Sequence, residues 1–202
     1  MKLYYARNSR AVRVAWLLEE LGLSYEIESF ELGSSDMRSD TYRALHPMGR
    51  VPTLVDGDIT LYESGAILQY LLAKYGAGKF IPDINSAAFA VNLQWFHYAE
   101  GMIMPPMNTI VVETILLPPE RRNEVNVKRA TKLLGQMLTG VEQQLEGKTF
   151  LLGEHLLAAD FMTGHAVIMA KRLGADFSDK PNLLHYGEHL SPRPAFQTAS
   201  SL

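Results

Sequence analysis

The stretch from Gly49 to Ile67 constrains the fold of this chain more than any other. Two short apolar runs, Thr53 to Val55 and Ile59 to Tyr62, are joined by Asp56-Gly57, a pair whose tolerance of positive φ suits a tight β-hairpin turn. A helix follows directly. Ser64 is a good N-cap, and Ile67, Tyr70, Leu71 and Lys74 fall at helical spacing with the cation in the last turn. A proline-led hairpin thus delivers Glu63 and Ser64 to a helix start, where unpaired backbone N–H groups can hold an anion.

The remaining pattern grows around that hairpin. Lys2 to Tyr5 reads as a strand and Ser9 to Leu21 as a helix, with Val12, Ala15, Trp16 and Glu19 on one line and Gly22 as the stop. Ser24 to Glu28 alternates as a second strand, and a polar loop leads to a weak helix around Tyr42 to Leu45. The order β-α-β-α-β-β-α over about the first 75 residues defines a small α/β layer. Tyr75 to Asp83 breaks every periodicity, and no strand pattern follows it. The expected organisation is an α/β domain over 1–77, a linker over 78–85 and an all-helical domain over 86–202. Its helices run roughly from Ala87 to Thr114, Arg121 to Leu145, Ala158 to Leu173, Leu183 to His189 and Pro194 to Ala199. Pro105-Pro106 should kink or interrupt the first of them.

Composition excludes several functions. A net charge of −3 with scattered Lys and Arg gives no basic field for nucleic acid. Arg7, Arg10, Arg13, Glu19 and Glu20 interrupt the first twenty residues, so no signal-peptide core or membrane span forms there, and a cytoplasmic protein is expected. The chain has no cysteine, which removes disulfides, cysteine metal sites and a protein thiol nucleophile. Any sulfur chemistry must therefore come from a ligand. The six histidines, His46, His97, His155, His165, His185 and His189, lack metal-ligand spacing with nearby acids, and no metal is expected.

Val51-Pro52 before the hairpin, Glu63-Ser64 after it and an all-helical second half together resemble the cytosolic glutathione transferases, of a bacterial, serine-dependent type. The run from Ser9 to Gly22, Asn92 to Pro105, Ala158-Ala159-Asp160, and Pro181 to Phe196 extend the likeness over nearly the whole chain. The resemblance implies a thioredoxin-like first domain in which Pro52 is cis and the backbone of Val51 pairs with the cysteinyl part of glutathione. It implies that Ser64 takes the γ-glutamyl carboxylate, Glu63 the ammonium, and Arg50 lies near the glycine carboxylate. Tyr98, Glu100, Met102 and Met104 fall on the helix that lines the electrophile pocket in such enzymes, where methionine suits varied apolar substrates. Asp160 matches the aspartate of a helix-capping motif, but Leu157 replaces the Ser or Thr cap, a loss of about 1 kcal/mol unless another group substitutes.

Three residues compete for the sulfur: Ser9, Asn8 and Tyr5. A thiol with pKa of about 8.5 must be lowered by roughly two units, about 2.7 kcal/mol, to ionise near neutrality. One hydroxyl donor supplies about 1.5 to 3 kcal/mol and a helix start about 0.3 to 1. Ser9 can equally cap the first helix, Tyr5 can be a buried strand aromatic and Asn8 a loop residue bonding its own backbone. The start of the chain also resembles the zeta class, except that Arg10 stands where that class has cysteine, which counts against its isomerase activity. The activity implied is conjugation of the glutathione thiolate to apolar electrophiles by a homodimer. The alternatives are a non-catalytic glutathione- or partner-binding protein, and a glutathione-dependent peroxidase or dehalogenase.

Overall fold

The computed structural model describes all residues from Met1 to Leu202. Two compact units divide the chain: Met1–Phe80 together with Ser191–Leu202, and Ile81–Leu190. The first holds a four-stranded sheet in the order β2-β1-β3-β4, from β1 (Lys2–Tyr5), β2 (Glu26–Ser29), β3 (Thr53–Asp56) and β4 (Ile59–Tyr62). β1 runs parallel to β2 and antiparallel to β3, and β3 to β4 closes the expected hairpin with Gly57 at φ 61°. Helices α1 (Ala11–Leu21), α2 (Asp40–Arg43) and α3 (Ser64–Tyr75) complete the layer. Gly22 ends α1 in the left-handed conformation at φ 67°, as its position in the sequence requires.

The C-terminal segment departs from expectation. Placed by sequence with the helical domain, it belongs to the α/β unit, because α9 (Pro194–Ser201) finds its polar and aromatic partners there. Arg193 forms a two-pronged ion pair with Glu20 at 2.7 and 3.0 Å, Glu20 also accepts the indole N–H of Trp16, and Phe196 meets the Trp16 ring edge-on at 5.0 Å.

The hairpin is tied to α3 through Asp56. Its carboxylate accepts Tyr70 and Tyr75 hydroxyls and the Lys74 ammonium. These donors, led by Tyr75 and then Tyr70 and Lys74, hold the Asp56 carboxyl at a pKa of about 2 against an ordinary 3.8. Between those values the unfolded chain binds the extra proton, so the contribution is present above about pH 4 and lost as pH falls toward 2. Acid unfolding followed across that window should be shallower for Asp56→Asn than for the parent; identical slopes would remove Asp56 from the acid response.

The second unit is helical: α4 (Ala87–Tyr98), α5 (Met104–Val111), α6 (Glu124–Gln144), α7 (His165–Arg172) and α8 (Pro181–Leu190). Pro105 and Pro106 open α5 within its first turn, and a π-helical stretch, Ala99–Ile103, takes up the change of register that missing N–H groups impose. A second π stretch, Val112–Leu116, follows α5, where the buried Glu113 carboxylate accepts the Asn123 N–H and the Asn126 side-chain amide at the start of α6.

The weak cap at Leu157 is also answered here. Asp160 Oδ2 accepts the Leu157 N–H at 2.8 Å, preserving that half of the capping motif. The Ala159 N–H, which a Ser or Thr cap would have been able to satisfy, goes instead to Asn92 Oδ1 at 3.1 Å, reaching across from α4.

Candidate functional site

Strand register gathers the candidate residues at one edge of the sheet. Tyr4 pairs with Thr53, and Thr53 with Tyr62. The end of β1, the start of β3 and the end of β4 therefore lie side by side, and the chain leaves them as the Ala6–Arg10 loop, enters through Arg50-Val51-Pro52, and leaves again through Glu63-Ser64. The Val51–Pro52 peptide is cis, matching the expectation from the family pattern.

In the first loop, Asn8 is exposed and left-handed at φ 58°, a conformation asparagine tolerates better than most side chains. Ser9 is half-buried. Its hydroxyl donates to the Ala6 carbonyl at 2.7 Å and accepts the Ala11 N–H at 3.1 Å, so it bridges the strand end and the first turn of α1. Tyr5 must be set aside as a sulfur contact. It is wholly buried, and its hydroxyl donates at 2.8 Å to the Ala199 carbonyl on α9. Arg7, one residue before Asn8, donates to the carbonyl of Ser201.

Tyr42, marked in the sequence only as the start of a weak helix, holds the second loop. Its buried hydroxyl donates to the Arg50 carbonyl at 2.6 Å, and the Thr53 hydroxyl, 3.0 Å away, is left to donate to it. Burial pushes the Tyr42 phenol up to about 12, which keeps it a donor at all ordinary pH. One anchor thus holds the Arg50 carbonyl on one side of Val51-Pro52 and the Thr53 side chain on the other. Arg50 itself is exposed, and Gly49 before it adopts φ 57° in a place where an added Cβ would meet the Met37 carbonyl oxygen. The ring of buried His46 packs at a tilt against Tyr62, with centroids 4.6 Å apart, His46 takes the Met48 N–H on Nδ1, and burial lowers its pKa.

At the third segment the expected capping role is corrected. Glu63, not Ser64, precedes the helix, at φ 72° and ψ 111° and without a side-chain cap; Ser64 is the first helical residue. Ser64 is buried, and its hydroxyl accepts a hydrogen bond from Arg13 Nη1 at 3.1 Å. Arg13 is wholly enclosed. The sequence carried a signal for it: Arg13, Trp16 and Leu17 stand at i, i+3 and i+4, a cation on the apolar line of α1.

The four electrophile candidates separate by exposure. Tyr98 turns its hydroxyl into the helical unit, onto the Met137 carbonyl at 2.9 Å, and Met104 is nearly buried, so both act as packing residues. Glu100 is half-buried and Met102 is 48% exposed, on the π stretch that precedes the prolines. A cavity of about 310 Å³ opens elsewhere in the same unit, edged by Lys148, Thr149, Glu154, His185 and His189, and none of the four lines it.

A family model for the glutathione S-transferase N-terminal domain matches residues 1–73. Glutathione S-transferase 3 of Schizosaccharomyces pombe is 30% identical across 98% of this chain and 86% of its own length. A zeta-class glutathione S-transferase of Euphorbia esula is 31% identical across 98% of this chain and 89% of its own. Among solved structures, a glutathione transferase homolog from Lodderomyces elongisporus with two GSH per subunit aligns at a TM-score of 0.89 and 25% identity, covering 99% of this chain and 97% of that one. The chain belongs to the glutathione S-transferase family and is a glutathione transferase.

Proposed function

We propose that the enzyme joins the glutathione thiolate to apolar electrophiles, with glutathione bound at the sheet edge where the loop of Ser9, Val51-Pro52 and Glu63-Ser64 converge. The observation that carries this reading is the strand register, which brings three segments distant in sequence to one edge. Bound glutathione in the Lodderomyces elongisporus relative supports the ligand. In this reading the Val51 backbone pairs with the cysteinyl residue, Ser64 and Glu63 receive the γ-glutamyl end, and Arg50 attracts the glycine carboxylate. A cytoplasmic homodimer with no metal is part of the same proposal.

Ser9 is the sulfur contact in this scheme, with Asn8 in support. Its geometry sets the size of the effect. The Ser9 hydroxyl has one proton, held by the Ala6 carbonyl. Turning it to a thiolate exchanges a neutral hydrogen bond of about 1 kcal/mol for a charge-assisted one of about 1.5 to 3, a net gain of about 0.5 to 2 kcal/mol. The Ala11 N–H that Ser9 accepts keeps the oxygen in place during the exchange. Ser9→Ala should accordingly lower kcat/KM toward a chloronitrobenzene about two- to thirtyfold and move the alkaline rise of the pH profile upward. An unchanged rate and profile would transfer the sulfur contact to Asn8.

A further inference from the structure

We propose that His46 is a proton-controlled positioning residue for glutathione: its neutral ring holds the turn that leads into Arg50-Val51, and its imidazolium releases that turn. The assignment rests on the glutathione site proposed above. The turn from His46 to Gly49 is built on this one residue. Its N–H donates to the Tyr42 carbonyl at 2.9 Å, its carbonyl accepts the Gly49 N–H at 2.7 Å, and its ring Nδ1 accepts the Met48 N–H at 3.2 Å. The residue is 6% exposed, and its ring packs against Tyr62 on β4. From Gly49 the chain runs directly into Arg50-Val51, which in the proposed site meet the glycine carboxylate and the cysteinyl backbone.

The ring bond fixes a protonation state. An imidazole nitrogen that accepts a hydrogen bond carries no proton, so neutral His46 has its proton on Nε2. A second proton goes to Nδ1, where it points at the Met48 N–H, donor against donor. The enclosed place also disfavours the charged ring, so both effects drive His46 and its turn toward water. Charges reach the ring from two sides: Glu63, just beyond β4, and Arg50, on its own loop. Tyr62 faces it from β4, and α2 meets it through the carbonyl of Tyr42, whose phenol, pushed up to about 12 by burial, carries no charge. Burial sets the direction of the His46 pKa, below the ordinary 6.5; a backbone hydrogen bond of His46 itself and the charge of Glu63 raise it, and Arg50 lowers it. The ring is therefore neutral above pH 6.5 and takes its second proton below it. Glutathione, which needs the ordered loop, favours the neutral ring and lowers that pKa further. The glycine carboxylate opposes this only weakly, because beside exposed Arg50 its pull on an imidazolium is screened by water and salt.

The test is glutathione binding by calorimetry between about pH 4.5 and about pH 7, above the carboxylate and below the amino and thiol pKa values of the ligand. Circular dichroism confirms the fold at each pH. The parent enzyme should bind with constant affinity near neutrality and about tenfold more weakly at the acid end. His46→Ala, which has no ring to hold Met48, should bind about tenfold more weakly throughout. His46→Asn should rescue that loss and keep its affinity across the window, because an asparagine oxygen accepts the N–H two residues on and does not titrate. Because either substitution can fail to fold, a second measurement uses the unaltered protein. A tenfold effect corresponds to about one pKa unit, so the His46 ring resonances, assigned by isotope labelling, should titrate about one unit lower with saturating glutathione than without it. Constant parent affinity, an asparagine variant that follows the parent's acid decline, or a His46 pKa that glutathione does not lower would each overturn the assignment while leaving the glutathione site intact. A parent enzyme that binds no glutathione near neutrality would overturn the site reading itself, and this assignment with it.

Discussion

Replacing Asp160 by alanine should lower the stability of the protein by about 3 to 5 kcal/mol, the size expected when a buried, fully engaged carboxylate is lost. Asp160 is wholly buried, and three donors converge on it: the Leu151 N–H at 3.0 Å, the Tyr186 hydroxyl at 2.6 Å and the Leu157 N–H at 2.8 Å. Each donor left unsatisfied in the interior costs about 1 to 3 kcal/mol, with relaxation recovering part of the total. Tyr186 has little room to relax. Its phenol is driven well above its ordinary pKa by burial and then by Asp160, so it does not escape by ionising. Gly164 faces it so closely that an added Cβ would lie 2.9 Å from the Tyr186 oxygen and 2.4 Å from Leu190 Cδ1. The site is closed against water as well as against movement. Urea unfolding of Asp160→Ala against the parent checks the figure, and a midpoint shift equivalent to less than about 1 kcal/mol would show that the three donors find other partners.

Asp160 also illustrates what could be read before the structure was known. Its role followed from the family pattern, and so did the weakness at Leu157, yet the remedy did not. Asn92 lies 67 positions away from the Ala159 N–H it satisfies, and nothing in its local sequence marks an asparagine on α4 as a cap for another helix. Tyr42 was unreadable for a related reason: its grip on Arg50 and Thr53 depends on a loop returning to a short helix, and the sequence around it gives only a weak helical signal. Secondary structure was more legible, because period and punctuation are local. The hairpin at Thr53–Tyr62 and the stop at Gly22 fall where Asp56-Gly57 and Gly22 placed them. The placement of α9 was not, since a helical period says which face is apolar and not which surface it will cover. At the site, the hairpin and the proline gave the segments, and only the pairing of Tyr4 with Thr53 and Thr53 with Tyr62 brought Ser9 beside them. Ser64 was read as a cap because a serine before an apolar helical run ordinarily is one, whereas here Glu63 takes the preceding position and Arg13 claims the hydroxyl.

Gly49→Ala should damage both stability and glutathione use, and the contrast with a second glycine separates the two causes. Gly49 is buried at φ 57°, and a Cβ built on it would fall 2.1 Å from the Met37 carbonyl oxygen, a backbone atom that cannot rotate away. The left-handed backbone alone costs an alanine about 1 to 2 kcal/mol. Forced separation from Met37 adds about 1 to 3 kcal/mol, so the expected loss of stability is about 2 to 5 kcal/mol. The loop yields most directly by moving Arg50 and Val51, the next residues along, which in the proposed site meet glutathione. A displacement near 1 Å at a binding segment costs about a hundredfold in kcat/KM. Gly57, in the hairpin turn, has a similar φ of 61° but open space where its Cβ would go. Gly57→Ala should therefore lose about 1 to 2 kcal/mol and keep its kinetics, because only the conformational term applies. Thermal midpoints with glutathione saturation curves for both variants decide the matter. If Gly49→Ala shows no more than the Gly57→Ala loss and an unaltered KM, the Met37 contact is absorbed without moving Val51, and the backbone of that loop is less committed to the ligand than its two-sided anchoring by Tyr42 implies.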